Sequence, residues 1–141
     1  MVRLVGSVFN DTSFGNDLRE EISQKNRRFG RDARILGIRA GTKPHRIIGI
    51  WAVVVEGRVF VRSYSLKPRS WWRTFRQDPR GVIEVNGKQF KVRPVFTRSE
   101  RLKQLVDRAY AEKFPTPSSR VFVEGFKQKH RRDTTTELVP L

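Results

Sequence analysis

Ile50-Trp51-Ala52-Val53-Val54-Val55-Glu56-Gly57-Arg58-Val59-Phe60-Val61-Arg62-Ser63-Tyr64, closing on Lys67-Pro68-Arg69-Ser70-Trp71-Trp72-Arg73, decides how this chain folds. Two runs of β-branched and aromatic residues flank Glu56-Gly57, where glycine supplies the positive φ of a tight turn, so the stretch predicts a β-hairpin. Past the second strand, Arg62, Lys67, Arg69 and Arg73 crowd against Tyr64, Trp71 and Trp72. Fixed cations beside flat apolar rings suit a ligand with an anionic tail and an aromatic head. Period-two alternation puts Arg62 and Tyr64 on one strand face and Ser63 on the other.

Working outward, Gly81–Val85 and Lys88–Phe96 predict a second hairpin around Asn86-Gly87, the strongest short turn signal in the chain. Ser70 is placed to cap a short helix carrying Trp71, Trp72 and Phe75, which stops at Asp78-Pro79 because the residue before proline avoids the helical region. Thr97-Arg98-Ser99-Glu100 reads as a capping box opening a helix, with Leu102, Leu105, Val106, Ala109 and Tyr110 on its apolar side. Pro115 and Pro117 then separate it from a shorter helix, Ser118 to Lys127, and residues 134–139 form a last strand. On the N-terminal side, Gly41-Thr42-Lys43-Pro44 is a turn and Ala33 to Arg39 a strand. Asn16-Asp17 caps a helix running to Phe29, and residues 1–13 are weakly structured.

Hairpin-linked strands without regular strand–helix alternation imply a mainly β (α+β) fold, an antiparallel sheet or small barrel with helices at its ends. The length of 141 residues fits one domain spanning 1–141. With aromatics spread along the whole length, wholesale disorder is excluded.

Thirty Lys and Arg against 14 Asp and Glu give a net charge of +16, so the surface attracts anions such as nucleic acid or phosphorylated metabolites. The densest clusters are Arg27-Arg28 with Arg31 and Arg34, and Lys127, Lys129, Arg131 and Arg132; solvated faces and nucleic-acid contact are the two readings of each. The longest apolar run, Ile47 to Val55, is far short of the roughly 20 residues of a membrane span. No secretory h-region follows the N-terminus, so the expected localisation is cytoplasmic and no membrane partner is expected.

Several chemistries fall away. There is no cysteine, hence no disulfide, thiolate metal site or thiol nucleophile. The two histidines, His45 and His130, lack carboxylates at metal-ligand spacing, so no metal is expected. His45 also sits in Lys43-Pro44-His45-Arg46, whose charges disfavour the imidazolium a general base must become. Neither a Walker-type loop nor the dinucleotide glycine fingerprint occurs, so phosphate would be held by side chains and turns. What remains is the patch after the central hairpin. Its tryptophans either plug a barrel end while the arginines stay wet, or border a ring system whose phosphate pairs with Arg or Lys. A nucleic-acid-binding barrel, with Trp71, Trp72 or Phe60 stacking on unpaired bases, and a ligandless scaffold are the alternatives.

Ile50–Val55, Phe60–Tyr64, Ser70-Trp71-Trp72, Arg108–Phe114 and the strand 134–140 occur in an order that resembles a bacterial domain-of-unknown-function (DUF) family. That family is of the flavin-binding split-barrel group similar to pyridoxamine-phosphate oxidase. The resemblance covers residues 33–140 and implies a small antiparallel split β-barrel with flanking helices, usually a homodimer, with flavin mononucleotide (FMN) or a deazaflavin as cofactor. An oxidoreductase activity is the function it implies. Carried over by position, Arg62, Ser63, Lys67, Arg69, Ser70, Trp71 and Trp72 occupy the strand end and loop that hold the phosphate in flavin-binding relatives. The loop departs from the family pattern in Leu66-Lys67-Pro68-Arg69, where glycine and small polar residues are expected, and in Trp72, where a tyrosine is expected.

Overall fold

A computed structural model describes residues 36–141. The expected helix from Asn16 to Phe29, the weakly structured segment 1–13, the start of the first strand and the arginine cluster at 27–34 lie outside the described residues.

Both predicted turns form. Glu56 (φ 53°) with Gly57 (φ 72°), and Asn86 (φ 51°) with Gly87 (φ 79°), place two successive residues in the left-handed region, the type I′ geometry whose twist matches paired strands. They join β3 (Ala52–Val55) to β4 (Arg58–Val61) and β5 (Gly81–Val85) to β6 (Lys88–Phe96). With β1 (Leu36–Ala40), β2 (Ile48–Ile50) and β7 (Thr136–Pro140), they form one antiparallel sheet in the order β2-β1-β5-β6-β7-β4-β3. Its two outermost strands, β2 and β3, are neighbours along the chain, separated by Trp51 alone. The ladder therefore leaves one stretch of backbone and returns to it, giving an antiparallel, nearly closed barrel of the split kind expected.

The helices among the described residues are α1 (Trp71–Gln77), α2 (Glu100–Lys113), α3 (Pro117–Phe126) and α4 (Lys129–Arg132). Ser70 caps α1 as expected, its Oγ accepting from the Arg73 amide. Trp71 and Phe75 enter the barrel from α1 and pack with inward residues such as Ile38, Val61, Ile83 and Val92. A second apolar layer lies outside the barrel wall. Val53, Val55 and Phe60 face outward there, beneath Leu102, Val106 and Tyr110 of α2 and Val123 and Phe126 of α3. The β3–β4 hairpin is thus covered on both sides, which is why its sequence runs apolar without alternation.

Three expectations shift. The strand of the central hairpin ends at Val61 rather than Tyr64, because the next two amides are taken by side chains: Arg62 N donates to Tyr110 Oη (3.1 Å) and Ser63 N to Thr134 Oγ1 (2.8 Å). The shared face assigned to Arg62 and Tyr64 is lost with it, Arg62 turning inward and Tyr64 outward. The N-cap of α2 is Ser99, whose Oγ accepts from Leu102 N, while Thr97 accepts from Ser99 N. Glu100 pairs with Arg132 instead of closing a capping box. The final strand starts at Thr136, since Thr134 and Thr135 donate to the carbonyls of Arg131 and Arg132 and finish α4.

The bend at Trp51 is held from outside. Freed from the ladder, the Trp51 carbonyl accepts from Tyr110 Oη (2.8 Å), and the next carbonyl, Ala52, accepts from Lys113 Nζ. One turn of α2 therefore satisfies both carbonyls at the point where β2 becomes β3.

Candidate ligand-binding site

The segment between β4 and α1 is a tied loop. Ser63 Oγ donates to the Ser65 carbonyl (2.6 Å), Lys67 N to Ser65 Oγ (3.3 Å), and Ser70 N to the Lys67 carbonyl (2.9 Å). Arg73 Nε, one turn into α1, donates back to the Leu66 carbonyl (2.8 Å). Local hydroxyl-to-backbone bonds of this kind fix a loop without secondary structure.

Under that loop lies a cavity of about 590 Å³. Ile48, Gly49, Ile50 and Trp51 form one wall, residues 62–65 with Lys67, Arg69, Ser70 and Trp71 another, and Phe122 and Phe126 of α3 a third. Its aromatic side is built as a set of edge contacts: Tyr64 meets Phe122 (5.4 Å) and Phe126 (5.7 Å), and Trp51 meets Phe122 (5.9 Å) while stacking on Phe114 (4.1 Å). Phe122 is 47% exposed, so the cavity is open on the α3 side.

Of the seven residues expected here, six line this cavity: Arg62, Ser63, Lys67, Arg69, Ser70 and Trp71. Trp72 does not. It lies beyond the lining, edge-on to Phe96 (6.5 Å) with the guanidinium groups of Arg73 and Arg76 over its ring, and its buried indole N–H has no partner among the described residues. The paired indoles therefore part, Trp71 into the barrel and Trp72 onto its flank.

Arg62 is present but committed. It is 2% exposed, and it donates from Nε to Thr135 Oγ1 (2.8 Å), from Nη1 to Asp107 Oδ1 (2.5 Å) and the Phe126 carbonyl (3.1 Å), and from Nη2 to the Lys103 carbonyl (2.9 Å). Four of the five guanidinium donors are spent on tying β4 to α2, α3 and the start of β7. Its role is to brace the wall. Lys67 and Arg69, by contrast, are exposed at the rim, and their side chains make no hydrogen bond or ion pair among the described residues. Phe60, one of the aromatics assigned to base stacking, is wholly buried beneath α2.

The basic run at residues 127–132 is mostly structural. Arg132 pairs with Asp107 (2.9 Å) and Glu100, Lys127 with Glu124 (3.3 Å), and Arg131 lies over the ring of Tyr64. Burial pushes the Tyr110 hydroxyl well above the ordinary phenol range, so it stays protonated as donor to Trp51. Burial also depresses the Lys113 amine to about 7. Among the described residues there is no cluster of His, Asp or Glu suited to a metal ion, and no helix is long and apolar enough to cross a membrane.

Sequence reading did not reach Trp51, Phe122 or Phe126 as lining residues. Phe122 carried a signal: with Val121 it forms an apolar pair on a face of α3 that helical spacing turns to solvent.

Residues 29–138 match the model of a family described as "Uncharacterized protein conserved in bacteria (DUF2255)". In fold the chain is similar to the crystal structure of conserved hypothetical protein Rv2991 from Mycobacterium tuberculosis, at 15% identity over 79% of this chain and 74% of that chain, with a TM-score of 0.50. At that identity the likeness speaks to the barrel alone. No curated protein matches the chain.

Proposed function

Since this chain belongs to the bacterial family DUF2255, we propose that its barrel is of the pyridoxamine-phosphate-oxidase-like superfamily and binds a phosphorylated flavin-type ligand, FMN or a deazaflavin. One observation carries the reading: a cavity with aromatic walls whose rim holds two unpaired cations, Lys67 and Arg69, beside Trp71. The residues fit such a group. Trp51, Tyr64, Trp71 and Phe122 offer ring faces and edges to a flat heterocycle, and the two cations with the Ser70 hydroxyl offer donors to a phosphate.

When bound, a flavin supplies hydride or electron transfer, and an oxidoreductase activity is the function that follows. The chain's own part is to hold and orient. Arg62 keeps the wall in place through Asp107 and Thr135, the tied loop fixes Lys67 and Ser70, and the apolar side excludes water from the ring. A homodimer, cytoplasmic and without metal, completes the proposal; light scattering tests the mass in solution.

The test is a titration of purified protein with FMN, followed by quenching of flavin fluorescence at fixed ionic strength. Saturable quenching is expected, with riboflavin at least tenfold weaker and with Lys67→Ala/Arg69→Ala costing a similar factor. Absence of quenching together with a colourless protein after flavin saturation would sink the reading. Tight, steeply salt-dependent binding of single-stranded nucleic acid in its place would favour the stacking alternative through Tyr64 and Phe122, the exposed rings at the mouth.

A further inference from the structure

A second cavity, of about 730 Å³, adjoins the first across Ile48, Arg69 and Trp71, which line both. The two differ in chemistry. The first is walled by rings; the second is entered past Lys43, His45, Arg46 and Arg69, all exposed. The guanidinium groups of Arg46 and Arg69 have no hydrogen bond or ion pair among the described residues.

The one acid in its lining, Asp78, is already engaged. Its Oδ2 accepts from both the amide and the hydroxyl of Thr42 (2.8 Å each), and those two bonds, with Arg80 and Lys43 nearby, hold its carboxyl below the usual carboxylate range. That contact ties the β1–β2 loop to the end of α1, and so fixes the loop that carries the cations. His45 is fixed as well, its ring nitrogens 2.9 Å from the carbonyls of Ala40 and Arg46. Three cationic side chains thus ring a preformed hollow that begins where the aromatic cavity ends, with Arg69 on the ridge between them.

We propose that this hollow is a second anion subsite of the same binding site, and that the ligand carries a second anionic group beyond its first phosphate, as the pyrophosphate of a dinucleotide does. Arg69 is the shared cation, Lys67 serves the aromatic side, and Lys43 and Arg46 serve the new one. Guanidinium groups at Arg46 and Arg69 suit adjacent phosphate oxygens because each presents a planar fork of donors. The idea rests on the ligand reading above for its aromatic half only; the anion subsite stands on its own residues.

The experiment treats the two halves separately. Inorganic pyrophosphate is titrated into the protein at constant ionic strength, and the amide resonances of Thr42, His45 and Ile48 are followed. Saturable shifts are expected, with binding at least fivefold weaker in Lys43→Gln/Arg46→Gln and unaltered in Lys91→Gln/Arg93→Gln, a matched pair on the exposed outer face of β6. No saturable shift, or equal weakening by both pairs, would overturn the subsite, the second result showing only diffuse attraction to a basic protein. Flavin adenine dinucleotide should then bind at least tenfold tighter than FMN, and the first double variant should erase that advantage. Equal affinities for the two flavins would overturn the extension of the ligand. Pyrophosphate binding without any flavin binding would retain the subsite and remove the flavin reading instead.

Discussion

The guanidinium of Arg131 lies 3.8 Å from the centre of the Tyr64 ring, and its Nε donates to the Tyr64 carbonyl at 2.9 Å. One side chain thus holds both the ring and the backbone of an aromatic residue that lines the cavity. A cation over an exposed ring is worth about 0.5–1 kcal/mol, and the hydrogen bond adds a comparable amount. Arg131→Ala is expected to cost roughly 1–2 kcal/mol in urea unfolding on these two grounds. It should also weaken FMN binding severalfold, because Tyr64 loses its fixed position. Unchanged affinity would remove Tyr64 from the binding surface.

Gly125 sits directly beneath the same ring. A β-carbon there would come within 2.7 Å of Tyr64 Cε2, so Gly125→Ala must push Tyr64 outward. Overpacking of this kind costs about 1–3 kcal/mol. In a Tyr64→Ala background the added methyl has room, and the double variant should be no less stable than Tyr64→Ala alone. Additive losses would show that Gly125 matters for some reason other than Tyr64.

Arg62 makes the clearest stability prediction. Arg62→Met leaves the Lys103 and Phe126 carbonyls and the Thr135 hydroxyl without their donor and strips Asp107 of one of its two cations. Removing one partner of a buried charged network costs roughly 3–5 kcal/mol, so a large drop in the urea midpoint is expected. Arg132, which also reaches Asp107, is more exposed, and Arg132→Met should cost distinctly less.

Lys113 makes stability depend on pH in a definite direction. Its amine titrates near 7 in the fold because it is desolvated, against 10.5 ordinarily. Between those values the unfolded chain holds a proton that the folded chain has released, so stability rises with pH across that window, and below 7 the full penalty is present. Lys113→Met has no such titration. The stability of the variant relative to the parent should therefore be greatest at pH 6–7 and shrink toward pH 10. A gap that does not change with pH would show that the amine keeps its proton in the fold.

How much of this was legible depended on whether a residue's neighbours in the chain were also its neighbours in space. The hairpins at Glu56-Gly57 and Asn86-Gly87, the Ser70 cap and the apolar stripe of α2 are local, and each was readable. Ser99 displaced Thr97 as cap by a choice between two hydroxyls two residues apart, which local pattern does not decide. Arg62 looked like a ligand clamp because its partners, Lys103, Asp107, Phe126 and Thr135, lie 41 to 73 positions away. Trp71 and Trp72 are adjacent in sequence, yet the helical turn of 100° per residue sends them to different surroundings. Phe122, Phe126 and the loop at Thr42–Arg46 reach the site only through tertiary packing, and no spacing announces that.

The run from Ile48 to Val55 has a consequence for what the sequence can tolerate. Its first half hydrogen-bonds β1 and its second half β4, so a residue gained or lost inside it would leave one seam of the cylinder in register and slide the other by one position, turning that strand's apolar set inside out. Hairpin tips can lengthen at little cost, since an extra residue there changes only a loop. Closure therefore acts as a ruler: it fixes the count of residues in this one stretch while leaving the outer turns free to drift.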